Sequence, residues 1–111
     1  MATRLAYVIK YVADMDKAIA FYRDTLGLPV KFATPGWTEM DTGDTTLALH
    51  VATPDSPVGT AEVGLRLDDL DAFHAGAAER GVTFTREPRL EHGTKLAAIR
   101  DCEGAQVSLS G

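Results

Sequence analysis

The sequence predicts an α+β fold built from two βαβββ modules, each with its helix on one face of its own strands. Three observations carry this. The order strand, helix, strand, strand, strand is read twice along the 111 residues. The last strand of each half alternates leucine or valine with small or polar residues, so each strand has two different faces. The two halves also share their punctuation. Asp14-Met15-Asp16 matches Asp69-Leu70-Asp71, Gly27 matches Gly81, and the turn after Asp41 matches the turn after Asp101. A period of roughly 55–60 residues exceeds the usual solenoid unit and points to a duplicated module with a pseudo-twofold axis.

In the first half, LAYVIKYV (5–12) is β-branched and aromatic and reads as a strand. Asp14 supplies a helix cap. Met15, Ala18, Ile19, Tyr22 and Leu26 then recur at helical spacing as one apolar stripe, and Gly27 fits the left-handed position that ends it. A short strand runs from Pro29 through Val30 and Phe32, and Pro35-Gly36 turns the chain. Trp37–Asp41 is a strand, Thr42-Gly43-Asp44 a hairpin turn, and TTLALHV (45–51) the last strand. Residues 52–60, with two prolines and a glycine, form a surface linker. In the second half AEVGLRL (61–67) is a strand, and Asp68 or Asp69 caps a helix that buries Leu70, Phe73 and Ala77 before Gly81. VTFTRE (82–87) is a strand closed by Pro88, KLAAIRD (95–101) a strand, Glu103-Gly104 a turn, and AQVSLS (105–110) the last strand. The chain reads as one domain, 1–111, made of repeats 1–52 and 60–111.

Composition excludes several classes. With 45% apolar and 24% charged residues the chain is an ordinary globular domain, neither a disordered tail nor a disulfide scaffold. A spanning helix needs about 20 apolar residues, and no such run exists, so no membrane partner is expected. A net charge of −5 without a basic stripe argues against nucleic acid. Cys102 is the one cysteine, so it cannot form an internal disulfide, and without a basic pair or partner histidine in sequence it does not read as a nucleophile. The opening residues show no secretory pattern, and a cytoplasmic setting is the expectation.

Alternation sorts the residues by face. Leu47, Leu49 and Val51, and likewise Val107 and Leu109, should pack under the helices. Ala48 and His50, and Gln106, Ser108 and Ser110, then line the opposite, concave face. Val63, Leu65 and Leu67 want the helix side, which places Glu62 and Tyr7 on the concave one.

The repeated βαβββ order, with DMDKAIAFYRDTLGL and the later RDCEGAQVSL, resembles the vicinal oxygen chelate superfamily, which includes glyoxalase I, bleomycin-resistance proteins, fosfomycin-resistance enzymes and extradiol dioxygenases. The resemblance implies curved half-barrel sheets that pair to enclose a ligand, often across a homodimer. It also implies a divalent metal on four slots, two on the first strands and two on the last. Carried onto this chain, the slots fall on Tyr7, Glu62, Ala48 and Ser108, with His50 one pleat beyond Ala48 on the same face. Alanine cannot coordinate, and serine and tyrosine are poor ligands for borderline divalent ions. Only His50 and Glu62 are good donors, so no metal and no other cofactor is expected.

Two readings follow. The first is a metal-independent binding protein that sequesters an aromatic or cationic natural product in a dimer cavity, as in antibiotic resistance. Tyr7, Trp37, Ala48, His50, Glu62 and Ser108 line that cavity, with Tyr11 and Glu39 beside them. Trp37, the sole tryptophan, offers a flat stacking surface, and the small residues leave volume for a ligand. The second is an enzyme, a lyase, isomerase or dioxygenase-like member, using His50 and Glu62 as an acid–base pair or within an atypical metal site. His92 lies on a loop that can border the cavity, or is simply solvated.

Overall fold

A computed structural model describes residues 2–111. Its elements are β1 (Thr3–Val12), α1 (Met15–Ala20), β2 (Val30–Ala33), β3 (Trp37–Asp41), β4 (Thr46–Val51), β5 (Ala61–Leu67), α2 (Leu70–Ala75), β6 (Phe84–Glu91), β7 (Thr94–Arg100) and β8 (Gln106–Ser110). The α+β class and the doubled βαβββ order are those the sequence predicts. The chain folds into two compact units. One is Tyr7–Glu62, and the other joins the residues up to Ala6 with Val63–Gly111.

In the first unit β1 lies parallel to β4, with Ile9 opposite Ala48 and Tyr11 opposite His50. β4 pairs antiparallel with β3, and β3 with β2. Asp14 caps α1, its Oδ1 accepting from the Lys17 N–H at 3.1 Å. Met15, Ala18, Ile19 and Tyr22 pack onto Met40, Leu49, Leu47 and Val51, so one side of β3 and β4 is sealed by the helix. Met40 and Leu49 are wholly buried there. Leu26 departs from the expected stripe and is 55% exposed. After Ala20 the helix widens into a π-helical turn, Phe21–Thr25, which rotates Leu26 off the apolar face, and Leu28 takes a place in that core instead.

The second unit repeats the plan. β5 lies parallel to β8, which pairs antiparallel with β7, and β7 with β6. Asp69, not Asp68, is the cap of α2, accepting from the Ala72 N–H at 2.9 Å. The helix is short: it closes at Gly76, and a 3₁₀ turn, Ala78–Arg80, follows. Leu70 and Phe73 pack on Leu65, Leu67, Ala97 and Leu109. Val63, expected on the helix side with them, is instead 43% exposed.

The shared punctuation is structural. Gly27 and Gly81 both sit at positive φ, 76° and 71°. Asp41 Oδ1 accepts from the Gly43 N–H, and Asp101 Oδ1 accepts from the Glu103 and Ala105 N–H groups, so both turns before the last strand are closed by an aspartate. Each unit also carries a bulge at the same place. Val30 and Phe32 oppose Met40 and Glu39, just as Phe84 and Arg86 oppose Ile99 and Ala98.

One boundary is corrected. Pro88 does not close the strand after residue 87, because β6 runs through it to Glu91. Among the assigned pairings β6 has β7 as its sole partner, and Pro88 falls in a second bulge between Arg86 and Arg89, where the missing N–H costs no ladder bond. His92 and Gly93 then form a two-residue hairpin turn, both at positive φ, joining Glu91 to the opposed Thr94.

Candidate functional site

The face of the first unit turned away from α1 gathers most of the predicted site residues. On β1 the alternation presents Tyr7, Ile9 and Tyr11, on β3 Trp37 and Glu39, and on β4 Ala48 and His50. Ile9, Tyr11 and Ala48 form its buried floor, with Tyr7, Trp37 and Ala52 packed against them. Ala48 is fully buried, so it acts as floor rather than as a wall that a ligand touches.

Tyr11 and three neighbouring rings form a file. Tyr7 and Trp37 meet edge-to-face with centroids 5.7 Å apart, Trp37 and His50 meet edge-to-face at 5.8 Å, and His50 and Tyr11 lie tilted at 5.2 Å. Register explains the file. Trp37 pairs with His50 across β3 and β4, and His50 pairs with Tyr11 across β4 and β1. Such contacts are favourable because the positive edge of one ring meets the negative face of the next.

Polar groups bind three of the four rings. The Trp37 Nε1–H donates to Glu39 Oε2 at 2.9 Å. The two residues stand two apart on one strand and so share a face. The Tyr11 hydroxyl donates to Glu62 Oε1 at 3.3 Å, and Glu62 is only 8% exposed. The His50 Nδ1–H donates to the Val51 carbonyl at 2.7 Å. A carbonyl can only accept, so the neutral ring keeps its lone pair on Nε2. His50 and Glu62 are therefore linked through Tyr11, whose ring lies against the first and whose hydroxyl bonds the second.

Ser108 belongs to the other unit, on β8 between Gly64 and Ala98. His92, in its turn, is exposed. A depression of about 400 Å³ in that unit is lined by Arg66, Asp68, Asp69, Asp71 and Lys95 among others, and Lys95 is ion-paired to Asp71. None of the predicted site residues lines it. The Trp37–Glu39 bond is not among the features the sequence predicts. The same-face spacing of the two residues was its only signal.

The profile of the Glyoxalase/Bleomycin resistance protein/Dioxygenase superfamily matches residues 4–109. The chain belongs to that superfamily. Solved structures of the superfamily fold resemble it over nearly its whole length. A hypothetical protein of Bacillus halodurans is 16% identical with a TM-score of 0.80, covering 99% of this chain and 94% of that one. A Streptomyces coelicolor methylmalonyl-CoA epimerase variant in complex with 2-nitronate-propionyl-CoA is 25% identical with a TM-score of 0.77, covering 99% and 97%. The Mycobacterium tuberculosis methylmalonyl-CoA epimerase is 24% identical with a TM-score of 0.76, covering 96% and 85%. No curated protein matches the sequence.

The positions that the resemblance assigns to a divalent metal do not offer a donor set that fits one. Of those four, Ala48 has no side-chain donor atom, Tyr7 and Ser108 offer only hydroxyls, and Glu62 alone is a strong ligand. Among the described residues, no three His, Cys, Asp or Glu side chains converge as a metal set. No helix among them is long and apolar enough to cross a membrane.

Proposed function

We propose that this superfamily member is a metal-independent small-molecule-binding protein that sequesters an aromatic or cationic natural product, in the manner of an antibiotic-resistance protein. It acts as a cytoplasmic homodimer. The observation that carries the reading is the file Tyr7–Trp37–His50–Tyr11, flanked by Glu39 and Glu62 on one sheet face. Rings supply contact area at little entropic cost, and a few fixed polar groups orient what lies on them. A purely structural face would fill its mixed positions with branched aliphatic side chains.

The test is fluorescence. Trp37 is the only tryptophan, so its emission reports on this face alone. Planar aromatic compounds such as acridine should quench it saturably. A flat titration across a broad panel of aromatic ligands would end the proposal. Light scattering should return about twice the 11.9 kDa chain mass, and a monomer at every working concentration would remove the dimer.

One observation favours a second reading, an enzyme with His50 as base. The Nδ1–H bond to Val51 leaves the His50 Nε2 lone pair available, which is the form a general base needs. Under that reading a bound compound is chemically changed, and His50→Gln stops the change without abolishing binding. Recovery of the ligand unaltered after long incubation supports sequestration.

A further inference from the structure

Resting on that reading of the aromatic face, we infer that its ligand is an aromatic molecule carrying a protonated amine, held by hydrogen bonds that it donates, and that aromatic anions are rejected. The balance of donors and acceptors on the face decides this. Besides the Tyr7 hydroxyl, three ring donors stand on this face, and all three are committed within the protein. The Trp37 Nε1–H goes to Glu39, the Tyr11 hydroxyl to Glu62, and the His50 Nδ1–H to the Val51 carbonyl. Among the described residues Glu39 Oε1 and His50 Nε2 carry no such bond, and both only accept while the imidazole is neutral.

Charge points the same way. The alternation of β3 puts Asp41 with Glu39 and Trp37, and Glu62 lies beside Tyr11, so three carboxylates belong to this face. The cation that reaches it is Lys31, whose Nζ donates to Thr46 Oγ1 at 2.7 Å, where Thr46 pairs with Asp41 at the far end of β4 from His50. Lys10 belongs to the opposite alternation of β1, and its ammonium is held by the Gly59 carbonyl. A ligand carboxylate laid on Trp37 and His50 would meet acceptors and like charge. An ammonium would meet Glu39, the His50 lone pair and the electron-rich faces of the rings.

The experiment titrates the full protein calorimetrically with two flat probes of one skeleton and opposite charge, 9-(aminomethyl)acridine as its ammonium and acridine-9-carboxylate. The cation should bind about tenfold or more tightly than the anion, the worth of one charge-assisted hydrogen bond. Glu39→Gln keeps an acceptor for the Trp37 indole but removes the charge, and should shrink that preference severalfold. Asp55→Asn, an equal charge change on the exposed linker, should leave it unchanged. If the anion binds as tightly as the cation, or Asp55→Asn weakens the preference as much as Glu39→Gln, this inference fails while the aromatic-ligand reading stands. If neither probe binds and neutral acridine does not quench Trp37, both fail together.

Discussion

Trp37 is the residue on which stability and recognition meet, and two substitutions separate its contributions. Trp37→Phe keeps a ring between Tyr7 and His50 but deletes the indole N–H that bonds Glu39. Glu39 is half-exposed, so that bond is taken at the low end for a carboxylate acceptor, about 1 kcal/mol. Trp37→Ala also removes two edge-to-face ring pairs, each worth about 0.5–1.5 kcal/mol, together with the apolar area that the indole covers over Ile9 and Ala48. Because Trp37 is itself half-buried, the total falls near the lower end of aromatic truncations, about 3 kcal/mol. Urea unfolding followed by far-ultraviolet circular dichroism reads both variants, since neither retains the fluorophore. With a slope of about 1–3 kcal/mol per molar, the alanine variant should lose about 1–3 M in midpoint and the phenylalanine variant about a third of that. An alanine variant as stable as the parent would refute the packed file. Equal losses for the two variants would assign the whole effect to the Glu39 bond.

Leu49→Ala should cost about 3–5 kcal/mol, since Leu49 is fully buried under α1, and denaturation should show it without loss of the folded baseline. Asp14→Ala and Asp69→Ala should each cost about 1 kcal/mol in the same assay, because each removes the side-chain cap of its helix. Gly93→Ala should cost about 1–2 kcal/mol, as a Cβ is forced onto a left-handed position of the hairpin turn. Nickel, zinc or manganese should leave the melting temperature almost unchanged. A rise of several degrees that is lost in Glu62→Ala would restore a metal site.

Most of the fold is legible because its signals are local. Asp14 and Asp69 cap, Gly27 and Gly81 take positive φ, and the leucines of β4 and β8 fall on the helix side by simple alternation. Leu26 and Pro88 are misplaced for non-local reasons. A π-helical turn breaks the 3.6-residue period, and a proline's cost depends on whether a second strand lies beside it, which the sequence does not say. The candidate site divides in the same way. Periodicity puts Tyr7, Tyr11, Trp37, Ala48 and His50 on one face. It is silent on which atoms bond, and those bonds decide that the indole faces Glu39 and that the His50 lone pair sits on Nε2.

The bulged outer strands have a consequence for the molecule in a crowded solution. A strand without a neighbour exposes a row of amide groups that another chain can extend into an aggregate. β2 is four residues long with its register broken between Val30 and Phe32. β6 is longer, but its register breaks twice, Pro88 removes an N–H at its middle, and Arg86, Glu87, Arg89 and Glu91 crowd it with charge. Neither offers the long, flat, apolar edge that templates fibril growth. The proline that makes β6 hard to recognise as a strand is also what keeps it from recruiting another.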